Sequence, residues 1–143
     1  MNKNPFEQYD NLSQLPHDLV TFIIQIMENR CRKTHHFLVN NQFYLHDIKV
    51  NTQTFSIDSF YQEVSIWEPC DCRGRPHIES MKLDIQNGYK IPPVVHDMER
   101  GFSSPIDGRH RTIAVKELGY DFVESISMED IMEQVKSIKE NEL

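Results

Sequence analysis

The chain has 143 residues, of which 38% are hydrophobic and 26% are charged, and its formal net charge at pH 7 is −7. This length suits one modest core, and the composition is that of a globular protein rather than a disordered one. The acidic balance disfavours broad, non-specific binding to DNA, but it is compatible with a small basic pocket for one nucleotide. No apolar run reaches the length of a membrane span and no apolar signal core is present, so we expect a cytoplasmic protein.

The N-terminal part, residues 1–40, is predicted to be an extension that carries one amphipathic helix. Residues 1–14 are polar and predict a weakly fixed lead-in. The helix is expected from about Asp18 to Arg32, because its apolar residues recur at the spacing of one helical stripe. These stripe residues are Leu19, Phe22, Ile23, Ile26 and Met27.

Residues 41–143 are predicted to form an α+β domain with a small mixed sheet. Strand-forming residues occur at Phe43–Leu45, Ile48–Val50 and Thr54–Ile57, and a loop with the lone Trp67 follows. Further along, the pattern predicts a helix from about His77 to Gly88, strands at 92–97, 102–106 and 122–126, a helix at 109–118, and a terminal amphipathic helix.

The cysteines and histidines predict neither a disulfide framework nor a metal centre. Cys31, Cys70 and Cys72 are odd in number and lack a repeated Cys-x-x-Cys spacing. His35, His36, His46 and His77 also fit no metal-ligand spacing.

The run Asp107-Gly108-Arg109-His110-Arg111-Thr112 is the strongest candidate site. It joins a predicted strand to the first turn of a predicted helix, where unpaired amide groups and the positive dipole end favour an anion. The glycine permits close approach to the backbone, the two arginines are permanently charged donors, and the histidine and threonine add donors. The six residues therefore predict a phosphate-binding loop, with a salt-bridged turn as the alternative.

This loop and its flanks resemble the ParB/sulfiredoxin superfamily over residues 79–124. The similar features are Asn87-Gly88 at a helix end, Pro92-Pro93-Val94-Val95 in a strand, the loop 106–111, Ala114 in the next helix and Leu118-Gly119 at its end. The resemblance implies a mixed sheet flanked by helices. It also implies a bound nucleoside triphosphate, ATP or CTP, together with Mg²⁺.

Departures from the family pattern bear on the activity. Sulfiredoxins have a nucleophilic cysteine where this chain has Arg109, and chromosome-partition proteins carry a DNA-reading domain beyond the shared module. The loop is most similar to that of short Asp-Gly-x-His-Arg members, which include kinases of free serine that use an upstream acid as general base. By order along the chain, this resemblance implies Glu68 as the base, with Glu79 second, and His110 as a second catalytic residue.

Three functions follow from these observations. The first is a nucleotide-dependent enzyme, either an NTPase or a phosphotransferase acting on a small hydroxyl substrate. The second is a non-catalytic nucleotide- or partner-binding module, of the kind found in phages and mobile elements, whose acidic surface could engage a protein partner. The third is a ParB-like DNA nuclease with acidic metal ligands drawn from Glu68, Asp97 and Asp107, although the net negative charge weighs against it.

Overall fold

The computed structural model describes residues 4–58, 74–97 and 108–142. In chain order the elements are helix α1 (His17–Arg30), helix α2 (Arg32–Asn40), strand β1 (Thr52–Ser56), helix α3 (Arg75–Gln86), strand β2 (Val94–His96), helix α4 (Arg109–Glu117), strand β3 (Phe122–Ser127) and helix α5 (Met128–Asn141). Two short 3₁₀ helices lie at Leu12–Gln14 and Gln42–Asp47. The mixture of helices and a small sheet confirms the predicted α+β class. Within these described ranges, none of the helices is long and apolar enough to cross a bilayer.

The chain divides into two compact units. The sheet unit comprises Met1–Glu7 and Thr52–Ser127, and the helical unit comprises Gln8–Asn51 and Met128–Leu143. The predicted division into residues 1–40 and 41–143 thus cuts the chain at a different place. The difference arises because the C-terminal helix buries its apolar stripe, including Ile131 and Val135, with the N-terminal helices rather than with the sheet.

The helical unit contains two N-terminal helices where the sequence predicts one. The break is at Cys31, whose backbone is extended (φ −154°, ψ 102°) although its N–H still bonds to the Met27 carbonyl at 2.8 Å. Helix α1 buries Leu19, Ile23 and Met27, as the apolar spacing predicts. An extended residue between two helices acts as the last cap of one and the first cap of the next.

The predicted strand at Phe43–Leu45 is wrong, because this segment lies in the 3₁₀ helix Gln42–Asp47. The Tyr44 ring stacks on Phe37 of α2, with the ring centroids 5.6 Å apart and the planes 19° from parallel. This local aromatic contact outweighs the strand preference of the residues, which is weak and depends on context.

In the sheet unit, the described strands form a three-stranded sheet in the order β1-β3-β2. Strand β1 pairs with β3 in antiparallel fashion, with Thr52 opposite Ile126, and β2 pairs with β3 in parallel, with His96 opposite Ser127. Parallel neighbours need a crossover connection, and α4 lies between β2 and β3 in the chain. The unit therefore contains one β-α-β arrangement with the candidate loop inside its connection.

The core of the sheet unit includes a residue from the predicted lead-in, which corrects that prediction. Phe6 is fully buried, in a cluster with Ile57, Ile91, Val94, Val115 and Val123. Its position is set by backbone pairing with Ile91, whose N–H bonds to the Pro5 carbonyl and whose carbonyl accepts from the Glu7 N–H, both at 2.8 Å. A polar composition conceals this role, because a single buried ring is enough to anchor a short segment.

Candidate functional site

Gly108 is the cap residue of α4, and its conformation is one that glycine alone adopts easily. Its backbone has φ 113° and ψ 21°. A Cβ at this position would overlap Val94 Cγ1 and lie 2.7 Å from Val94 Cβ. The strained conformation and the tight contact with β2 both require glycine. The sequence suggested that a glycine is needed here so that a ligand can approach the backbone closely. In the structure, the packing of Gly108 against Val94 already requires a glycine.

The first turn of α4 consists of Arg109, His110 and Arg111 and contains no acidic residue. Arg109 is exposed, and the other two side chains are half-buried. A helix start presents amide N–H groups and the positive end of the dipole, so cationic side chains at this end are unfavourable to the helix itself. The electrostatic potential at this turn is therefore positive, and a bound anion would be stabilised there.

Thr112 differs from the predicted role of a ligand-contacting hydroxyl. The residue is fully buried, and its Oγ1 donates a hydrogen bond to the Gly108 carbonyl at 2.9 Å. Its backbone N–H bonds to the same carbonyl at 2.9 Å. Thr112 therefore holds the start of α4 to its cap.

His77 is a neighbour of the site that the sequence did not indicate. It is exposed on the first turn of α3, and its ring meets that of His110 edge-on, with the centroids 5.7 Å apart. Contact between two imidazoles at adjacent helix starts restricts the orientation of His110. The residues are far apart in sequence, so only the packing of α3 on α4 reveals the pair.

The packing of α3 on α4 rests on an apolar patch and an ion network. Ile78 and Met81 of α3 are buried with Ile113 and Ala114 of α4. The Glu117 carboxylate accepts a hydrogen bond from Arg75 at 2.8 Å and another from Lys82 at 3.0 Å, so it forms a salt bridge with each cation. The hydrogen bond from Arg75 is the main reason that the pKa of Glu117 is lowered to about 2.

Glu79, the second candidate for a general base, belongs to the same network. Its carboxylate lies 3.1 Å from Arg75 and 3.3 Å from Lys82. Glu79 thus belongs to the ion network that Arg75 and Lys82 form with Glu117, and its role as a general base stays a prediction.

Buried polar side chains collect at the carboxyl end of the parallel strands. His96, Asp97, Ser125 and Ser127 are all at least nine-tenths buried. The Nδ1 atom of His96 lies 2.6 Å from the Ser125 hydroxyl, and its ring meets Phe55 edge-on at 4.9 Å. Ligands of β-α-β units bind at this end of the strands. The sequence placed His96 and Asp97 in a strand but gave no sign of their burial.

Several predicted site residues fall outside the described ranges. They are Glu68 and Asp107, together with Trp67, Cys70, Cys72 and the predicted strand 102–106. Among residues 4–58, 74–97 and 108–142, no group of three or more His, Cys, Asp or Glu residues is arranged to hold a metal ion.

No family model, curated protein or solved structure matches this chain. The resemblance to the ParB/sulfiredoxin superfamily therefore stays a prediction.

Proposed function

We propose that the chain binds a nucleoside triphosphate of the ATP or CTP type through the first turn of α4. The observation that carries the proposal is the sequence Arg109-His110-Arg111 in an acid-free first turn behind a left-handed Gly108. Two guanidinium groups and the helix start supply a concentration of positive charge in a protein whose net charge is −7. A polyphosphate is the anion whose charge and size suit such a turn.

The position of the turn in the fold supports the same ligand. It lies in the connection of a β-α-β unit, the arrangement in which phosphate groups are bound at helix starts. Gly108 against Val94 and Ala114 against α3 hold the helix in one place. A site whose backbone is held before the ligand arrives loses less entropy on binding.

We further propose that the protein is a cytoplasmic NTPase or small-molecule phosphotransferase of ParB/sulfiredoxin type, which uses the bound nucleotide as its substrate. Turnover needs a group that accepts a proton from the attacking hydroxyl or water. Glu68 has this role in the proposal, and His110, oriented by His77, contacts the transferred phosphate. Mg²⁺ bound to the phosphates would offset their charge.

A thermal-shift panel tests the binding step. The wild-type chain is heated with ATP, ADP, CTP or GTP, each with and without Mg²⁺. A ligand at 100 times its Kd should raise the Tm by about 5–10 °C. Arg111→Ala should remove this shift, whereas Lys116→Ala, which deletes a cation at the other end of α4, should keep it. Absence of a shift with every nucleotide would contradict the proposal.

Phosphate release tests the catalytic step separately. Wild-type protein that is stabilised by a nucleotide is incubated with it and with small hydroxyl compounds such as serine. Release or transfer of phosphate that is lost in Glu68→Gln, while the thermal shift persists, indicates an enzyme. A persistent shift without any turnover indicates a binding module in which the nucleotide stabilises one state of the protein.

A further inference from the structure

The segment Arg30–His46 of the helical unit is rich in basic residues, of which Arg30 is paired with Glu129 of α5. It contains three permanently charged residues and three histidines and no aspartate or glutamate. The chain as a whole carries a net charge of −7, so this segment is locally opposite to the rest of the sequence. Concentrated positive charge on a small acidic protein is the usual mark of a surface for a polyanion.

A groove at the start of α2 places much of this charge together. Its volume is about 520 Å³, and it is lined by Glu28, Arg32, Lys33, His35 and His36. Glu28 is the single acid among these residues, and its carboxylate lies 3.5 Å from the Nε2 atom of His35. The first turn of α2 contains no acidic residue. Backbone phosphates are the groups that such a groove would neutralise.

Three aromatic rings pack together where α2 meets the 3₁₀ helix Gln42–Asp47. The rings of Phe37 and Tyr44 are stacked, and the ring of Phe43 packs against Tyr44 at a centroid distance of 4.3 Å. Phe43 nevertheless keeps 64% of its surface exposed. An aromatic ring that packs against a neighbouring ring and is also exposed to solvent can stack with the ring of a ligand.

The groove and these aromatic rings lie along one helix. Lys33 and Phe37 are four residues apart on α2 and so are neighbours on its surface. His36 and Asn40 form a second such pair, with Nε2 and Nδ2 2.9 Å apart. Positive charge, amide groups and the open ring of Phe43 therefore follow one another along α2 and the adjoining 3₁₀ helix.

We propose that the helical unit binds single-stranded nucleic acid along α2, with phosphates in the groove and an unstacked base on Phe43. Duplex DNA is a poorer ligand, because its bases are stacked on one another and its charge density meets an acidic protein. The aspartate and glutamate side chains of an acidic peptide would satisfy the cations but include no flat ring to stack on Phe43. This proposal is independent of the nucleotide site on α4.

Fluorescence anisotropy with a labelled 12-nucleotide thymidine strand tests the proposal on the full chain. Phe43→Ala should weaken binding by about 5- to 100-fold, the usual effect of removing one base-stacking ring. Arg32→Ala with Lys33→Ala should weaken it further and reduce the slope of log K against log salt concentration by about 1.4. The matched controls are Tyr89→Ala and Lys90→Ala, which remove an exposed ring and an exposed cation from the sheet unit.

The controls and Arg111→Ala should bind the strand like the wild-type chain. Circular dichroism of each variant verifies that α2 is still folded. No binding of the strand at low salt would overturn the proposal, as would equal affinity for a duplex of the same length. Equal loss of binding in Tyr89→Ala and Phe43→Ala would also overturn it. A polyglutamate peptide that binds as tightly as the strand, with no effect of Phe43→Ala, would overturn it too and identify the surface as one for an acidic protein.

Discussion

Helices α2 and α4 are alike in sequence pattern but differ in how they begin. Each has nine residues, opens with basic side chains and lacks an acidic residue in its first turn. The cap residue of α4 is Gly108, whose left-handed backbone packs against Val94 of the sheet. The cap residue of α2 is Cys31, which is extended and whose sulfur accepts a hydrogen bond from Thr34 Oγ1 at 3.2 Å.

The burial of the two helices differs as well. Helix α4 buries four consecutive residues, Thr112–Val115, whereas α2 buries only Thr34 and Leu38. A helix enclosed on several sides can present one turn as a compact site. A helix with most of its surface outward presents a longer strip. The same charge pattern therefore supports a small anion on α4 and an extended polyanion on α2.

The largest expected effect is that of Gly108→Ala. The new methyl group would overlap Val94, and alanine would be forced to a positive φ, so we expect a loss of about 2–4 kcal/mol in the free energy of unfolding. Urea denaturation monitored by circular dichroism measures it.

Gly119→Ala is the matched control for this substitution. Gly119 has φ 94°, but no atom of the described residues lies within 4 Å of the place that an alanine methyl group would take. Only the backbone strain of about 1–2 kcal/mol is therefore expected. If the two variants lose equal stability, the contact with Val94 contributes nothing and the start of α4 is not held by the sheet.

A smaller effect is expected at the start of α2. The hydrogen bond from the Thr34 hydroxyl, followed by those from backbone amides, lowers the pKa of the Cys31 thiol. Thr34→Val removes the hydroxyl while keeping the side-chain volume. The pKa should rise, and alkylation of Cys31 by iodoacetamide at pH 7 should slow by about 2- to 10-fold, as expected for one hydrogen bond.

Mass spectrometry of the peptide that contains Cys31 measures this rate apart from the other two cysteines. Thr21→Val, an exposed threonine on α1, is the control. An unchanged alkylation rate in Thr34→Val would show that the hydrogen bond from Thr34 does not activate the Cys31 thiol.

The smallest effect concerns the C-terminal end of α4. The pKa of Glu117 is about 2 in the folded chain, below its ordinary value of 4.5, so its pairing with Arg75 stabilises the folded state above about pH 4.5. That contribution is lost as the pH falls from 4.5 towards 2. Glu117→Gln should cost about 0.5–1 kcal/mol at pH 7, because these ion pairs are partly exposed.

Urea unfolding at pH 7, 4 and 3 follows this difference, which should shrink with each step towards acid. Glu79→Gln, which alters the more exposed acid of the same network, should cost less at pH 7. A Glu117→Gln deficit that stays constant down to pH 3 would show that the charge of Glu117 is not what anchors α4.

Helices and strands with a regular apolar period could be predicted from the sequence. The observed ends of α1, α4 and β3 lie within a few residues of the predicted ends. Period alone identifies such elements, because each buries one face. The break at Cys31 has no such signal, since no proline or glycine marks it.

Long-range contacts account for most of what the sequence did not reveal. Neither the burial of Phe6 beside Ile91 nor the contact of His77 with His110 has a local signal. The place of residues 108–111 at a helix start could be predicted from the local sequence. Two arginines there are unfavourable to the helix dipole, so they stand out without any knowledge of long-range contacts. The burial of His96 and Asp97 depends on which strands pair, and a single sequence does not specify that.

The pairing of β1 with β3 has a consequence for synthesis on the ribosome. Thr52 pairs with Ile126, so the sheet stays incomplete until the last strand has left the exit tunnel. Phe6 is made earlier still, and its neighbours Val115 and Val123 lie more than a hundred residues further along the chain. Until β3 has emerged, nascent chains should therefore expose the apolar residues of the sheet unit to chaperones.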